Sequence, residues 1–213
     1  MRRRVPVLLA GRGLIAAVLV AAGFAACGSD SPKTETTASA KPGPASSAPV
    51  STAQAGTEPC TFTGDRAAAS GNADAPTRLL TDVRVGAHGC YDRVTFEFKP
   101  RGTDPDGLVG WKAAYEPGPV TEDGSGKPVP VKGSAFLVVH MNAQGFDLTK
   151  SDAPDTYGGP TSLEAAGATR VVQVRRTGDF EGVLTGVIGL DRVRPFHVTT
   201  STGPARVIVD VGD

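Results

Sequence analysis

The sequence is poor in the residues that build metal centres and nucleic-acid interfaces. Its 213 residues include only three cysteines and three histidines, which leaves little material for a multi-ligand zinc or iron–sulfur site. Its 22 basic and 22 acidic residues cancel, whereas nucleic-acid binders are strongly basic. Aromatic residues make up only 6% of the chain. We therefore expect no metal, no cofactor and no nucleic-acid partner.

The chain also has no apolar run long enough to cross a membrane. Its best candidate, Leu14–Phe24, is about half the length of a spanning helix. Arginines at positions 2–4 precede this run, and Ala25-Ala26-Cys27 follows it. A positively charged N-terminal region, a short apolar stretch and small residues before a cleavage site are typical of a secretory signal. We predict that residues 1–26 are a signal peptide.

The end of that signal resembles the lipobox of bacterial lipoproteins. The residues are Phe24-Ala25-Ala26-Cys27, with phenylalanine where such boxes more often carry leucine. The resemblance implies that Cys27 is acylated, with palmitate-type chains, and becomes the mature N-terminus; two or more chains anchor a protein stably. The alternative is a plain cleaved signal. Removing residues 1–26 removes four arginines and no acid, which leaves 18 basic against 22 acidic residues and a net charge of −4. Electrostatic attraction to anionic lipids would then not hold the protein at the membrane, so we expect a lipid anchor on the extracytoplasmic face.

A tether follows the anchor. Residues 27–58 comprise Cys27 and a stretch rich in Ser, Thr, Ala and Pro, in which Val50 is the only bulky aliphatic residue. A segment with so little apolar area cannot offset the entropy cost of ordering. We predict a disordered linker with a root-mean-square reach of about 30 Å.

Two cysteines remain for the rest of the chain, Cys60 and Cys90. Disulfides persist outside the cytoplasm, so an exported chain is expected to pair them. The bond would close a loop of about 31 residues and stabilise the fold by roughly 3–4 kcal/mol. Two independent thiols are the alternative.

Residues 59–213 show the alternation of apolar and polar side chains that marks β-strands. Val94, Phe96 and Phe98 form the cleanest half-buried pattern. Residues 136–141 are apolar on both faces, which indicates a central strand. Further strands are predicted at 81–85, 109–115, 171–175, 180–190, 195–199 and 206–210, with glycines inside 180–190 suggesting bulges. About eight short strands with regular turn signals predict an all-β fold, a β-sandwich.

Two smaller features carry local predictions. Thr161–Glu164 matches a helix capping box, so we expect one helical turn there. Asp92 shares the inner face of its strand with Val94 and therefore needs a partner. An arginine of the terminal strand, residues 206–210, is our candidate for a two-pronged contact.

The domain resembles the AMIN-like domain of bacterial lipoproteins. The opening Gly89–Phe98 has the pattern Gly-x-x-Asp-Arg-Val-x-Phe-Glu-Phe. Further matching segments follow in order: Tyr115 with Gly118-Pro119, Asp123–Gly126, Gly133 with Phe136–Val138, Tyr157–Pro160, Gly178–Gly182, Gly189-Leu190, Pro195-Phe196 and Arg206–Asp210. The family is similar in fold to the AMIN domain of periplasmic N-acetylmuramoyl-L-alanine amidases, a β-sandwich linked to envelope targeting and peptidoglycan binding. The resemblance implies a β-sandwich without an amidase domain, and it carries over no ligand-binding residues.

Four side chains are candidates for ligand binding. Trp111 and Tyr115 share one face, and such aromatics can stack on sugar rings, although packing in the core is the interpretation we favour. Arg93 and Arg206 can bind a ligand, but ion pairs that fix strand ends are the favoured interpretation.

The sequence offers no catalytic constellation. His88, His140 and His197 are far apart, with no His-x-x-x-His spacing and no Gly-x-Ser-x-Gly elbow nearby. We therefore predict a non-enzymatic envelope lipoprotein that binds peptidoglycan or another cell-wall glycan. An accessory module that docks envelope enzymes or transporters is the alternative, and an unrecognised hydrolase is a distant third.

Overall fold

The computed structural model describes residues 61–213. The predicted signal peptide, Cys27, the linker and Cys60 lie outside the described residues. Within residues 61–213 the chain forms ten β-strands and no helix, which confirms the all-β prediction. The strands are β1 (Ala69–Gly71), β2 (Arg78–Ala87), β3 (Tyr91–Lys99), β4 (Trp111–Glu116), β5 (Ala135–Gln144), β6 (Ser162–Glu164), β7 (Val171–Phe180), β8 (Val183–Leu190), β9 (Phe196–Ser201) and β10 (Ala205–Gly212).

The strands make one continuous mixed sheet that folds into two layers. The four-stranded layer has the order β2-β3-β10-β9, and the six-stranded layer has the order β1-β4-β5-β8-β7-β6. A short parallel pairing joins them, with Arg78 opposite Ala143 and Leu79 opposite Gln144. The layers face each other closely, because a Cβ atom at Gly186 of β8 would lie 3.0 Å from the ring of Phe96 on β3. This is the predicted β-sandwich.

The core follows from the alternation in the sequence. Val94, Phe96 and Phe98 of β3 point inward and are fully buried. On β10 the alternate residues Val207, Val209 and Val211 do the same. Each buried side chain of this size contributes roughly 1.5–3 kcal/mol relative to exposure. Residues of β5 are buried on both faces, as expected for a central strand, and β5 lies between β4 and β8.

The second face of β5 is buried because the β4–β5 connection, residues 117–134, folds back over the six-stranded layer. A Cβ at Gly189 would lie 1.9 Å from the carbonyl oxygen of Lys132, so only glycine permits this approach. The Lys132 amide donates to Gln173 Oε1 at 3.0 Å, and the Ser134 amide donates to the Leu190 carbonyl at 2.7 Å. The connection therefore forms a wall above the outer face of this layer.

Two local predictions about the chain between β5 and β8 are wrong. The expected helical turn is strand β6, because Ser162–Glu164 pairs with β7 and the Glu164 carboxylate binds Lys132 Nζ (2.9 Å) and Gln173 Nε2 (2.8 Å). Residues 180–190 are not one strand, because Glu181 and Gly182 both have positive φ, 52° and 82°, and form the tight turn of a β7–β8 hairpin. The register shifts of this pair leave Thr177 as an extra residue on β7.

The predicted partner of Asp92 is also wrong. The Asp92 carboxylate is fully buried, but no arginine of β10 contacts it. Its Oδ2 accepts the backbone N–H groups of Thr169 (2.9 Å), Arg170 (2.6 Å) and Val171 (2.9 Å). Arginines on the outer side of the sheet point away from this inward carboxylate, whereas the chain that enters β7 crosses directly over it.

Candidate functional site

An open groove containing Trp111 lies at the side of the sandwich where β1 and β4 of one layer approach β9 of the other. Asp65 and Phe196 exchange backbone hydrogen bonds of 3.2 and 2.7 Å, which hold the segment before β1 against β9. The space between them measures about 350 Å³. We call this space the Trp111 groove; it is lined by Thr63, Gly64, Asp65, Ala69, Trp111, Phe196, His197 and Val198.

Trp111 is half-buried and packs against the core with part of its ring. Gly71 lies opposite it on β1, and a Cβ there would come within 2.9 Å of the indole Nε1. Within residues 61–213 this Nε1 makes no hydrogen bond, and it is not one of the buried unpaired polar atoms. The exposed side chains of Asp65 and His197 line the same groove. An aromatic ring beside a carboxylate and an imidazole suits a polyhydroxylated ligand.

Tyr115 does not line the Trp111 groove. Its hydroxyl donates to the Arg194 carbonyl at 2.7 Å and accepts the Arg194 amide at 3.0 Å. Its ring meets Phe196 edge-on, with 5.9 Å between centroids, and burial raises the pKa of the phenol. Tyr115 therefore supports Phe196 from behind, and its direct contact with a ligand stays a prediction.

Arg93 and Arg206 lie on the outer face of the four-stranded layer. Arg93 binds Asp210 across β3 and β10 through two hydrogen bonds of 2.7 and 2.8 Å. Arg206 Nε binds Glu97 Oε2 at 2.9 Å, and this contact lowers the pKa of the Glu97 carboxyl. Both arginines thus make the strand-fixing ion pairs that the sequence favoured, and a ligand-binding role for them stays a prediction.

A second polar site lies at the edge of β7, beyond the end of β6. Its open part measures about 260 Å³ and is lined by Glu122, Phe146, Asp155, Thr161, Arg176, Thr177, Gly178 and Asp179. The Asp179 carboxylate accepts the Gly145 amide at 2.6 Å, and burial raises the pKa of this carboxyl. The Arg176 guanidinium lies over the Tyr157 ring, 4.8 Å from its centroid.

The inner part of this second site is a pocket of about 80 Å³ beneath the β4–β5 connection. Thr185 donates its hydroxyl to Asp123 Oδ2 at 2.5 Å, and His140 Nδ1 lies 3.0 Å from the same hydroxyl. The other ring nitrogen, Nε2, lies 3.7 Å from Glu116 Oε1. Thr177 lines both parts, so they adjoin there. We call the two parts together the acidic groove.

The line Glu116–His140–Thr185 has the residue types of a catalytic triad but not its hydrogen-bond direction. Because the Thr185 hydroxyl donates to Asp123, the imidazole must donate to Thr185 rather than take its proton. Thr185 is also only 3% exposed. In residues 61–213 no three His, Cys, Asp or Glu side chains are placed to hold a metal ion. That same part of the chain has no helix long and apolar enough to cross a membrane.

Sequence reasoning did not single out the residues of the acidic groove as a site. Asp123, Thr177 and Asp179 carry no recognisable motif for binding. The only signal was indirect, since Asp123–Gly126, Tyr157–Pro160 and Gly178–Gly182 are segments of the family resemblance, and the structure brings residues from all three to this one place. Cys90 lies in the described part of the chain, after β2, whereas Cys60 lies outside it. Their disulfide therefore stays a prediction.

Comparison with known proteins agrees with the fold. Searches of curated proteins and of solved structures found no match. A family model for the AMIN-like domain matches residues 78–213, from the start of β2 to the end of the described chain. AMIN-like domains are generally linked to peptidoglycan and the cell envelope. Because the matched region is more than half of the sequence, the chain belongs to the AMIN-like domain family.

Proposed function

We propose that this protein is a non-enzymatic, lipid-anchored component of the cell envelope that binds peptidoglycan or another cell-wall glycan in the Trp111 groove. The observation that carries the proposal is the indole of Trp111, which lies in an open groove with its N–H unpartnered by residues 61–213. Sugar rings stack on aromatic faces and accept hydrogen bonds from such donors.

The size and chemistry of the groove support this ligand class. At about 350 Å³, the groove falls in the range typical of small-ligand sites. Asp65, His197 and Thr63 surround the indole with groups that can bind sugar hydroxyls. Val198 and Phe196 complete an apolar floor. This mixture of one ring and a few polar groups is what a glycan requires.

The absence of catalysis is part of the proposal and has two supports. The hydrogen-bond direction at Thr185 opposes nucleophilic activation. The three histidines of the sequence lie on different elements, after β2, on β5 and on β9. The lipid anchor is supported by the sequence around Cys27 alone.

A protein-docking role is the second candidate, favoured by a separate observation. Phe180 and Val183 flank the β7–β8 turn and are 54% and 36% exposed. Two exposed apolar side chains at the tip of a hairpin suit contact with an envelope enzyme or transporter. Neither of them lines the Trp111 groove, so variants can separate the two roles.

Co-sedimentation with purified cell-wall sacculi tests the proposal, using full-length protein in a non-ionic detergent. We expect wild type to pellet, Trp111→Ala to lose at least fivefold in affinity, and Trp111→Phe to lose less because it keeps an aromatic face. Phe180→Ala is the matched control and should bind like wild type. If Trp111→Ala does not fold, His197→Ala replaces it, since this side chain is exposed. Wild-type protein that stays in the supernatant would reject the proposal.

A further inference from the structure

The acidic groove gathers five carboxylates with almost no positive charge to balance them. None of Glu122, Asp123, Asp155 and Asp179 has a lysine or arginine nitrogen within 4.0 Å in the described part of the chain. The fifth carboxylate, Glu116, has only His140, at 3.7 Å. Arg176 is the one permanent cation that lines the groove; it lies over Tyr157, and its charge also acts on Asp179.

Several carboxylates elsewhere in the domain are paired with an arginine. On the outer face of the four-stranded layer, Glu97 binds two arginines and Asp210 binds one. Near the end of β8, Asp191 binds Arg194 at 2.6 Å. Carboxylates held close together repel one another unless a cation compensates. The acidic groove is therefore complementary in charge to a cationic ligand that the chain itself does not supply.

An independent observation points to a hydrogen-bonding ligand at the same place. Thr177 is the extra residue of the β7 bulge and is only 6% exposed. Its Oγ1 has no hydrogen-bond partner within residues 61–213, although buried polar groups are almost always paired. Thr177 lines both parts of the groove, so this residue lies where the open and inner parts adjoin.

The shape of the groove narrows the class of cation. The inner pocket is small, about 80 Å³, and its carboxylates alternate with apolar surface from Pro117, Pro119, Val120, Val138 and Val187. A compact ammonium group with three donors fits such a space better than a planar guanidinium. Apolar walls suit the methylene chain that carries the ammonium group. A metal ion is less suitable, since no three ligands are placed to hold one among the described residues.

We infer that the acidic groove binds an aliphatic primary ammonium group of the kind carried by lysine and other diamino acids. The ammonium group lies among Glu116, Asp123 and the Thr177 hydroxyl, and the rest of the ligand leaves through the open part past Asp155 and Asp179. The inference goes beyond the proposed glycan role, because it needs no contact with the Trp111 groove.

Titration of the full-length protein with Nα-acetyl-lysine methylamide, followed by NMR in detergent at low ionic strength, tests the inference. We expect saturable shifts of the β7 amides around Thr177. The matched ligand is the same compound acetylated on its ε-nitrogen, which has no charge and should bind at least tenfold more weakly. Equal binding of the two compounds, or no binding of either, would overturn the inference. Stronger binding of Ca²⁺ than of the lysine compound at the same residues would overturn it in favour of a cation site.

Variants of the same protein locate the site. Asp155→Asn and Thr177→Val should each weaken binding of the lysine compound at least fivefold. Asp74→Asn removes an exposed carboxylate outside the groove and is the matched control. Trp111→Ala should leave this affinity unchanged even where it abolishes binding to sacculi, so the two proposals can fail separately. Unchanged affinity in both Asp155→Asn and Thr177→Val would contradict the assignment to this groove.

Discussion

Asp92 and Arg170 join the two layers of the sandwich. The Asp92 carboxylate on β3 accepts the Arg170 backbone amide at 2.6 Å, and the Arg170 guanidinium lies 3.7 Å from its other oxygen. The amides of Thr169 and Val171 bind the same carboxylate. One buried side chain of the four-stranded layer thus fixes the chain that enters β7, the strand that lines the acidic groove.

We predict that Asp92→Ala destabilises the domain by about 3–5 kcal/mol, because it leaves three backbone N–H groups without their acceptor and removes the carboxylate beside the buried Arg170 guanidinium. Asp92→Asn should cost less, since it keeps one acceptor oxygen. Urea unfolding measures both free energies. A loss below about 1 kcal/mol in Asp92→Ala would contradict this account of the contact.

Thr177 and Thr185 give opposite predictions for the same substitution. Thr177→Val removes a buried hydroxyl without a partner in residues 61–213, so we expect the free energy of unfolding to rise by about 1 kcal/mol. Thr185→Val removes a hydroxyl that contacts both Asp123 and His140, so we expect it to fall by about 1–3 kcal/mol. Thermal unfolding compares them. A clear loss of stability in Thr177→Val would show that its hydroxyl already has a partner in the free protein.

Two carboxyl groups should affect stability in opposite directions as pH changes. Hydrogen bonding to Arg194 lowers the pKa of Asp191 below its unfolded value, so its stabilising contribution is present near neutral pH and is lost as pH falls through the folded pKa. Burial raises the pKa of Asp179, so its ionisation destabilises the fold and this cost disappears as pH falls.

We therefore expect Asp191→Asn to lower, and Asp179→Asn to raise, the urea midpoint at pH 7. Both differences should shrink when the measurement is repeated below pH 4, where the unfolded carboxyl groups also become protonated. A decrease in the midpoint of Asp179→Asn at pH 7 would contradict the direction of its pKa shift.

Membrane attachment is predicted to depend on Cys27. A Cys27→Ala variant should take up no palmitate label and migrate as unprocessed precursor, because the acyl chains have no other attachment site. Gel migration and metabolic labelling with a palmitate analogue measure this. Wild-type protein that carries no label would support the alternative of a plain cleaved signal.

The pairing of Cys60 with Cys90 is a separate prediction about the exported protein. Mass spectrometry of unreduced peptides should find the two cysteines in one linked species. Reduction should lower the free energy of unfolding by roughly 3–4 kcal/mol if the bond is unstrained. Two peptides with free thiols would contradict the pairing.

The sequence predicted the fold well where side chains alternate. The inward residues of β3 and the central position of β5 follow from the hydrophobic pattern alone, because one face or both faces of these strands must be buried. The errors lie where contacts between residues far apart in the sequence determine the secondary structure. Ser162–Glu164 has a helix-start pattern, but pairing with β7 makes it a strand, and local propensity carries no information about that partner.

The candidate sites were less predictable. Trp111 stood out because tryptophan is rare and its ring can stack on a sugar. The structure places it in a groove. The sequence grouped it with Tyr115 on one face, but same-face spacing does not show that the Tyr115 hydroxyl is occupied by Arg194. The acidic groove could not be found by spacing, because its carboxylates come from two separate connections and from β4 and β7, and only the folded chain brings them together.

The most direct test of the central claim is calorimetric titration of the full-length protein with soluble glycan strands from which the peptides have been removed. Such strands carry sugars but no peptide amines, so they address the Trp111 groove alone. The account predicts saturable binding by wild type and by Asp155→Asn, with at least a fivefold loss in Trp111→Ala. Equal binding by wild type and Trp111→Ala, or no heat with either, would contradict it.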